Sequence, residues 1–487
     1  MGFLSNFFNP HLVQFEECRA NIDTNIVECS FNLFANILEH LVWGPHMLFM
    51  ILGAGTVFTL YFKFPQFRFF RLALQIVSGK YDNPEDKGEI SHFKALCTAL
   101  SATVGLGNIA GVAIAITLGG PGAVFWMWVA GFLGMATKFT EVTLALRYRN
   151  EDSAKHMHGG PMFTILNGLG KNWKPVAAFY AFACILSSFG AGNMFQSNQM
   201  SSVLVQQSAN MFGLEIPSLV FGITFATLAG LVLIGGIKRI ADVTSFIVPF
   251  MVVVYFIAAL GILTFNLAEI PAMFGHIFHG AFNGTAAVGG FSGAVFKEVL
   301  KRGLQRGTFS NEAGMGSSAM AHSAAKSRPA EEGTVALLEP FIDTIVVCTI
   351  TALAILVTGS WHTNPGITGS ELTAFTFAKE YGQMGAALVA FMVTLFAFST
   401  IISWSYYGEQ GIFFLFGENQ KAITIYRVLF LCATVAGSYF QGGAVVKLSD
   451  AFFGLMAFPN LIACVLLLKF AKLEVNDFAD YIKSKKS

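Results

Sequence analysis

Long apolar stretches separated by short polar connections run along most of this chain. A helix needs about 20 apolar residues to cross the hydrocarbon core of a bilayer. On that measure there are eleven candidate spans, at roughly 41–62, 95–118, 122–146, 176–205, 218–236, 243–265, 283–302, 335–358, 384–412, 422–440 and 445–468. The pattern predicts an all-α polytopic membrane protein of about 11 transmembrane helices.

Two spans are interrupted. The stretch SATVGLGNIAGVAIAITLGG holds Gly105, Gly107 and Gly111 with Asn108 among them. A phosphate loop is excluded, because the glycine spacing misses G-x-G-x-x-G by one residue and no strand precedes it. Gly107 and Gly111 fit a small-xxx-small packing face. For 103–108 the favoured reading is a break in the helix, because packing needs no Asn. Freed backbone groups at membrane depth are tolerated where they line a protein-enclosed cavity. In transporters, half-helix N-termini there face anionic groups and freed carbonyls hold sodium.

The second interruption lies in NGTAAVGGFSGAVFKEVLKR, around Gly289, Gly290, Phe291 and Gly293. Numbering core spans from 95–118, the interrupted ones are first and sixth, and they run in opposite directions. Interrupted helices in corresponding positions of two halves point to a site between inverted repeats. The expected organisation is an extracytoplasmic tail (1–40), an extra N-terminal helix (41–62) and a connection (63–94). A five-plus-five inverted repeat (95–265 and 266–468) and a cytoplasmic tail (469–487) follow.

Charge adds a direction. Only 12% of the 487 residues are charged and 54% are hydrophobic, against about 25% charged in soluble domains. Mean hydropathy is +0.60. In the eleven-span arrangement, all of the 30 Lys and Arg except Arg19, Lys138, Lys379 and Lys447 fall on one side. By the positive-inside rule that side is cytoplasmic, with the N-terminus outside and the C-terminus inside. Residues 1–40 lack the basic start and early apolar stretch of a signal peptide. Lys138 and Glu141, three apart, are expected to pair near the cytoplasmic interface. Five of the seven Cys (Cys97, Cys184, Cys348, Cys432, Cys464) are read as small hydrophobes, while Cys18 and Cys29 leave a disulfide open.

TVGLGNIAGVA, GGPGAVFWMW, HGGPMFTI, SSFGAGNMFQSN, GTFSNEAGMGSSAMAHSAAK and LFAFSTIISWSYYGEQ, over about 41–470, resemble the alanine or glycine:cation symporter family, the sodium/alanine symporters. The resemblance implies a leucine-transporter-type fold, sodium-coupled uptake of small amino acids with Na+ as coupling ion, and a cytoplasmic-membrane location. It also departs from the family: Leu106 stands where VGTGN or VGSGN is common, and so removes a hydroxyl close to the expected substrate.

The amides of Leu106 and Gly107, beside Thr103, are expected to face a substrate carboxylate at a helix N-terminus. No acid lies between Thr98 and Thr117; a transporter of bare amines would want one at this depth, so the substrate is expected to bring its own carboxylate. Gly290 and Phe291 are candidates for the amine, Gln196 for a polar contact and Trp404 for closing the pocket. The resemblance to the wider fold pairs Ser399 and Thr400 with carbonyls near Ser101 and Val104 around sodium, which takes oxygen ligands. The plain reading of Ser399 and Thr400 is bonding back to their own helix. Asn108, Asn193, Asp343 and Glu312 are candidates for gating or coupling. Asp343 is an intramembrane acid, or a buried hydrogen-bonded cap. His156 and His158, with no third ligand nearby, read as a solvated loop.

The expected function is sodium-coupled symport of a small neutral amino acid, across a bilayer and without nucleic-acid partners. A proton-coupled carrier of another small zwitterion is the alternative. A channel would show charged rings or repeated filter loops. An enzyme would need an acid, base or nucleophile cluster at depth. The sequence shows neither.

Overall fold

The structure is a computed structural model that describes residues 26–83, 85–283, 292–363, 366–440 and 442–486. Among the described residues the only named strands form one antiparallel hairpin, Asn150–Glu151 with Met157–His158. Everything else that is regular is helical.

Helices α1 (Ile26–Val42) and α2 (Pro45–Tyr61) meet at Gly44, where Pro45 opens the second helix. The segment expected as a tail is therefore helical from Ile26 onward. Next come α3 (His92–Thr103) and α4 (Gly107–Gly119), bent by 47° at the residues between them. Ser91 caps α3 through the amide of Lys94. Val104 then leaves helical geometry, and the amide of Gly105 turns back to the carbonyl of Thr103 at 2.8 Å. The chain restarts at Gly107 as a π turn. The break expected at 103–108 is thus present.

The following elements are α5 (Gly122–Arg147), α6 (Lys171–Met211), α7 (Ser218–Leu233), α8 (Gly236–Phe265) and α9 (Ile270–Asn283). Then come α10 (Ser292–Asn311), α11 (Ser318–His322), α12 (Pro329–Val357), α13 (Gly369–Tyr381) and α14 (Gln383–Phe416). The chain finishes with α15 (Gln420–Tyr439), α16 (Val445–Leu466) and α17 (Leu468–Lys486). Two further π turns interrupt α6 at Gly190–Met194 and α12 at Phe341–Cys348. Among the described residues eight helices are long and apolar enough to span a membrane, or nine if the bent α3–α4 pair is one span. Exposed Phe246 and Ile257 on α8 present apolar surface outward, as hydrocarbon surroundings require.

Of the residues around which the second interruption was expected, only Gly293 is described, and it lies in α10. Gly290 and Phe291 lie outside the described residues. The break that faces α3–α4 comes after α10, where Glu312, Gly314 and Gly316 all have positive φ (57°, 93° and 74°). Close contacts set the register of α10 against α5. Gly303 meets Ala123 and Trp126, Gly307 meets Met127 and Ala130, Ala313 meets Gly134, and Ser318 reaches Lys138. So α10 descends alongside α5, starting from the end where Gly122 lies. Lys301 and Arg302 pair there with Glu39, and Arg306 pairs with Asp450. These bases sit at the end opposite the base-rich face, where they had been counted. The error has a physical cause: these three bases on one helix look like a connection until their acidic partners arrive from distant elements.

Candidate functional site

The two breaks meet. A Cβ on Gly107 would come within 3.0 Å of Ser310 Cα. Beside them is a narrow cleft with only about 10 Å³ open to a water-sized sphere, lined by Thr103, Gly105, Gly107, Gln196, Glu312 and Trp404, with Phe309 and Phe453. That is about the room one water needs, so the two breaks pack closely around it. It lies at the N-terminus of α4, where backbone amides and the helix dipole favour an anion. Leu106 is not among the lining residues. Its amide donates to Gln196 Oε1 at 3.3 Å, and Gln196 Nε2 donates to the carbonyl of Ala191. The Thr103 hydroxyl bonds back to Ala99. Trp404 is buried, which excludes interfacial anchoring; its indole N–H donates to Glu312 Oε1 at 2.9 Å.

One turn away, α3 and α14 exchange hydrogen bonds. The Thr400 hydroxyl donates to the Ser101 carbonyl at 3.0 Å, and Ser399 reaches the same oxygen at 3.5 Å. Ser101 Oγ donates to the Ser399 carbonyl at 2.7 Å and lies 2.7 Å from Ser403 Oγ. Ser399 also bonds back to Phe396, as the plain reading expected, whereas Thr400 leaves its own helix. Val104 ends α3 beside them, fully buried. The result is a buried cluster of hydroxyl and carbonyl oxygens, a donor set that suits a hard cation.

The gating candidates separate. Asn108 Nδ2 donates to Asp343 Oδ1 at 2.6 Å, and Ser310 and Thr344 donate to the same carboxylate. Asn108 and Asp343 therefore join two π turns. Asn193 instead donates to the Phe430 carbonyl and ties α6 to α15. Glu312 belongs to the cavity wall. The acid-free stretch between Thr98 and Thr117 had suggested a site without a counter-charge; Glu312 arrives there from another helix.

Several residues were missed. Phe309 and Phe453 pack at 5.2 Å between the cavity and a wide vestibule lined by Glu39, Arg302, Arg306, Glu371, Lys447 and Asp450. The buried Arg306–Asp450 pair sits one helical turn above that aromatic pair. The Thr373 hydroxyl takes the Ile109 carbonyl freed by the π turn. Toward the base-rich face, Lys138 pairs with Glu339 at 3.2 Å and Ser318 at 2.6 Å. Glu141 binds Asn460 instead, so the expected Lys138–Glu141 pair is not formed. His322 bridges Glu339 and Glu332, and His92 joins Glu332. His158 is not a solvated loop residue: it stacks on Phe413 with ring centroids 3.6 Å apart and bonds Gln410. Asp152 reaches both His156 and His158. Burial pushes its carboxyl up, but the amide of His156 and the two imidazoles outweigh that and hold it below its usual value. Cys432 is exposed rather than packed, unlike Cys97, Cys184, Cys348 and Cys464.

The profile of the sodium:alanine symporter family matches residues 28–487. The chain is 41% identical over 460 residues to the sodium/alanine symporter AgcS of Methanococcus maripaludis, covering 93% of this chain and 98% of that protein. The chain belongs to the sodium:alanine symporter family. This symporter is also 36% identical to a probable sodium/glutamine symporter, GlnT, of Bacillus subtilis, over 93% of this chain and 92% of that one. Its fold is that of the leucine-transporter type. The transporter MhsT, solved with L-phenylalanine, superposes with a TM-score of 0.53 at 16% identity, over 79% of this chain and 99% of that one. The symporter is thus a multi-pass membrane transporter of amino acids and not an enzyme.

Proposed function

We propose that this symporter carries a small neutral amino acid, alanine or glycine, into the cell with sodium by alternating access. The observation that supports this most is the meeting of two helix breaks at a buried site lined by Gly105, Gly107, Gln196, Glu312 and Trp404. The substrate carboxylate faces the amide of Gly107 at the start of α4, Gln196, which accepts from the Leu106 amide, orients it, and Trp404 limits its size. Sodium takes the Ser101 and Val104 carbonyls with the hydroxyls of Ser399 and Thr400. Asn108 and Asp343 couple α4 to α12. The base-rich face, which keeps the 63–94 connection and the C-terminal helix, is cytoplasmic.

Uptake of labelled alanine and glycine into proteoliposomes tests this reading. Accumulation is expected with an inward sodium gradient and not with potassium or proton gradients. Thr400→Ala is expected to raise the sodium concentration for half-maximal uptake about tenfold or more, since it removes a hydroxyl ligand. Equal uptake driven by protons alone would overturn the sodium assignment.

A further inference from the structure

Glu312 is a buried acid, 2% exposed, in the wall of the cavity. It occupies the first position of the turn between α10 and α11, with φ at 57°. That left-handed conformation is uncommon for residues other than Gly, Asn and Asp. The turn is held because the amide of Glu312 bonds the Thr308 carbonyl at 2.8 Å and its own carbonyl receives the amide of Met315 at 3.1 Å. Two donors fix the carboxylate, the indole N–H of Trp404 at Oε1 and the hydroxyl of Ser317 at Oε2. Both donors are neutral. Among the described residues no Lys, Arg or His forms an ion pair with it. Lys138 acts on it only from a distance and is itself bound to Glu339 and Ser318.

A carboxylate accepts about four hydrogen bonds, so both oxygens keep accepting capacity beyond these two donors. A buried charge without a partner is costly, and such residues in membrane proteins mark substrate or ion pathways. The same small cavity has amides at the α4 terminus that suit an anion. It therefore offers one place for negative charge and one for positive, as a zwitterion demands.

We propose that Glu312 is the counter-charge for the substrate ammonium and sets the specificity of the site for amino acids over hydroxy acids. The proposal rests on the amino-acid symport reading above and adds the group that recognises the amine. Alanine places its ammonium against the free face of the carboxylate while Trp404 and Ser317 hold that carboxylate from behind. Lactate has the same carboxylate and methyl group but offers a neutral hydroxyl in place of the ammonium.

The test compares alanine and lactate on the full chain in proteoliposomes. Wild-type protein is expected to bind alanine at least about 100-fold more tightly than lactate, because polar groups built for a missing partner are left unpaired. In Glu312→Gln, alanine binding is expected to weaken about 30-fold or more. Lactate binding should stay within about threefold, and Glu312→Asp should recover part of the alanine affinity. Sodium-induced thermal stabilisation without substrate reports folding and should survive both substitutions. The proposal is overturned by alanine binding within about threefold of wild type in Glu312→Gln, by equal weakening of alanine and lactate, or by wild-type protein that binds both equally. The last comparison needs no variant. Failure of wild-type protein to take up any amino acid with sodium would instead remove the function reading itself.

Discussion

Gly105 cannot carry a side chain, because the space belongs to Thr400. A Cβ there would lie 2.3 Å from Thr400 Oγ1 and 3.5 Å from Gln196 Oε1. Gly105→Ala must push the hydroxyl off the Ser101 carbonyl, and overpacking of this kind costs about 1–3 kcal/mol. Sodium-stimulated uptake is expected to fall about tenfold or more, read from a sodium titration. Gly192 is a parallel case on the other side of the cavity, where a Cβ would meet Trp404 Cγ at 2.2 Å. Gly192→Ala should displace the indole from Glu312 and raise the KM for alanine with little change in the response to sodium. An unchanged KM would mean that the indole does not shape the pocket. At this scale the sequence was legible where chemistry and spacing coincide. The glycines beside Asn108 announced a break. Nothing local announced that Glu312 would face it.

The elements carry their function in three π turns. Each includes or borders a polar residue that reaches across to another helix: Asn108 in α4, Asn193 in α6 and Asp343 in α12. A π turn leaves the regular ladder and frees backbone groups, and such turns occur frequently at functional sites. Thr373 on α13 satisfies the Ile109 carbonyl at 3.1 Å, so a helix that had been read as part of a connection supports the broken one. The Asn108–Asp343 bond at 2.6 Å joins α4 to α12 at the level of Ser310. In a double-mutant cycle, Asn108→Ala and Asp343→Asn are expected to couple by about 0.5–3 kcal/mol, as contacting residues do. Thermal unfolding in detergent measures it. Additive effects would make the two turns independent.

For the whole molecule the question is which face is shut. The vestibule is separated from the cavity by two stacked barriers, the buried Arg306–Asp450 pair and the Phe309–Phe453 contact below it. Arg306 also lies over the Phe309 ring at 5.2 Å, so the barriers are linked. Breaking a buried ion pair from one side leaves an uncompensated charge, at about 3–5 kcal/mol. Asp450→Asn is therefore expected to favour states in which Arg306 reaches solvent. A cysteine at Ala191, which lines the cavity, should then react about tenfold faster with a thiol reagent that cannot cross the membrane. Unchanged labelling would show that the pair does not hold the vestibule closed. On the opposite side, Lys138, His322 and His92 with Glu339 and Glu332 bind α3, α5, α11 and α12 into one body.

The sequence by itself determined the membrane class, the broken α3–α4 helix and the family, and the family resemblance in turn implied the pairing of Ser399 and Thr400 with Ser101. These follow from local composition, from glycines near one Asn, and from motifs that survive as contiguous strings. Tertiary structure decided the rest. Lys301, Arg302 and Arg306 look like a polar connection in sequence. Only in the fold do Glu39 and Asp450, each more than a hundred residues away, neutralise them and let α10 descend beside α5. A break that the glycine pattern did not point to then follows at Glu312–Gly316. Lys138 likewise turns from Glu141, its neighbour on the same helix, to Glu339 on another. Charge partners separated by long stretches of chain are invisible to hydropathy, because the cost of burying each group is offset only when the fold brings its partner to it.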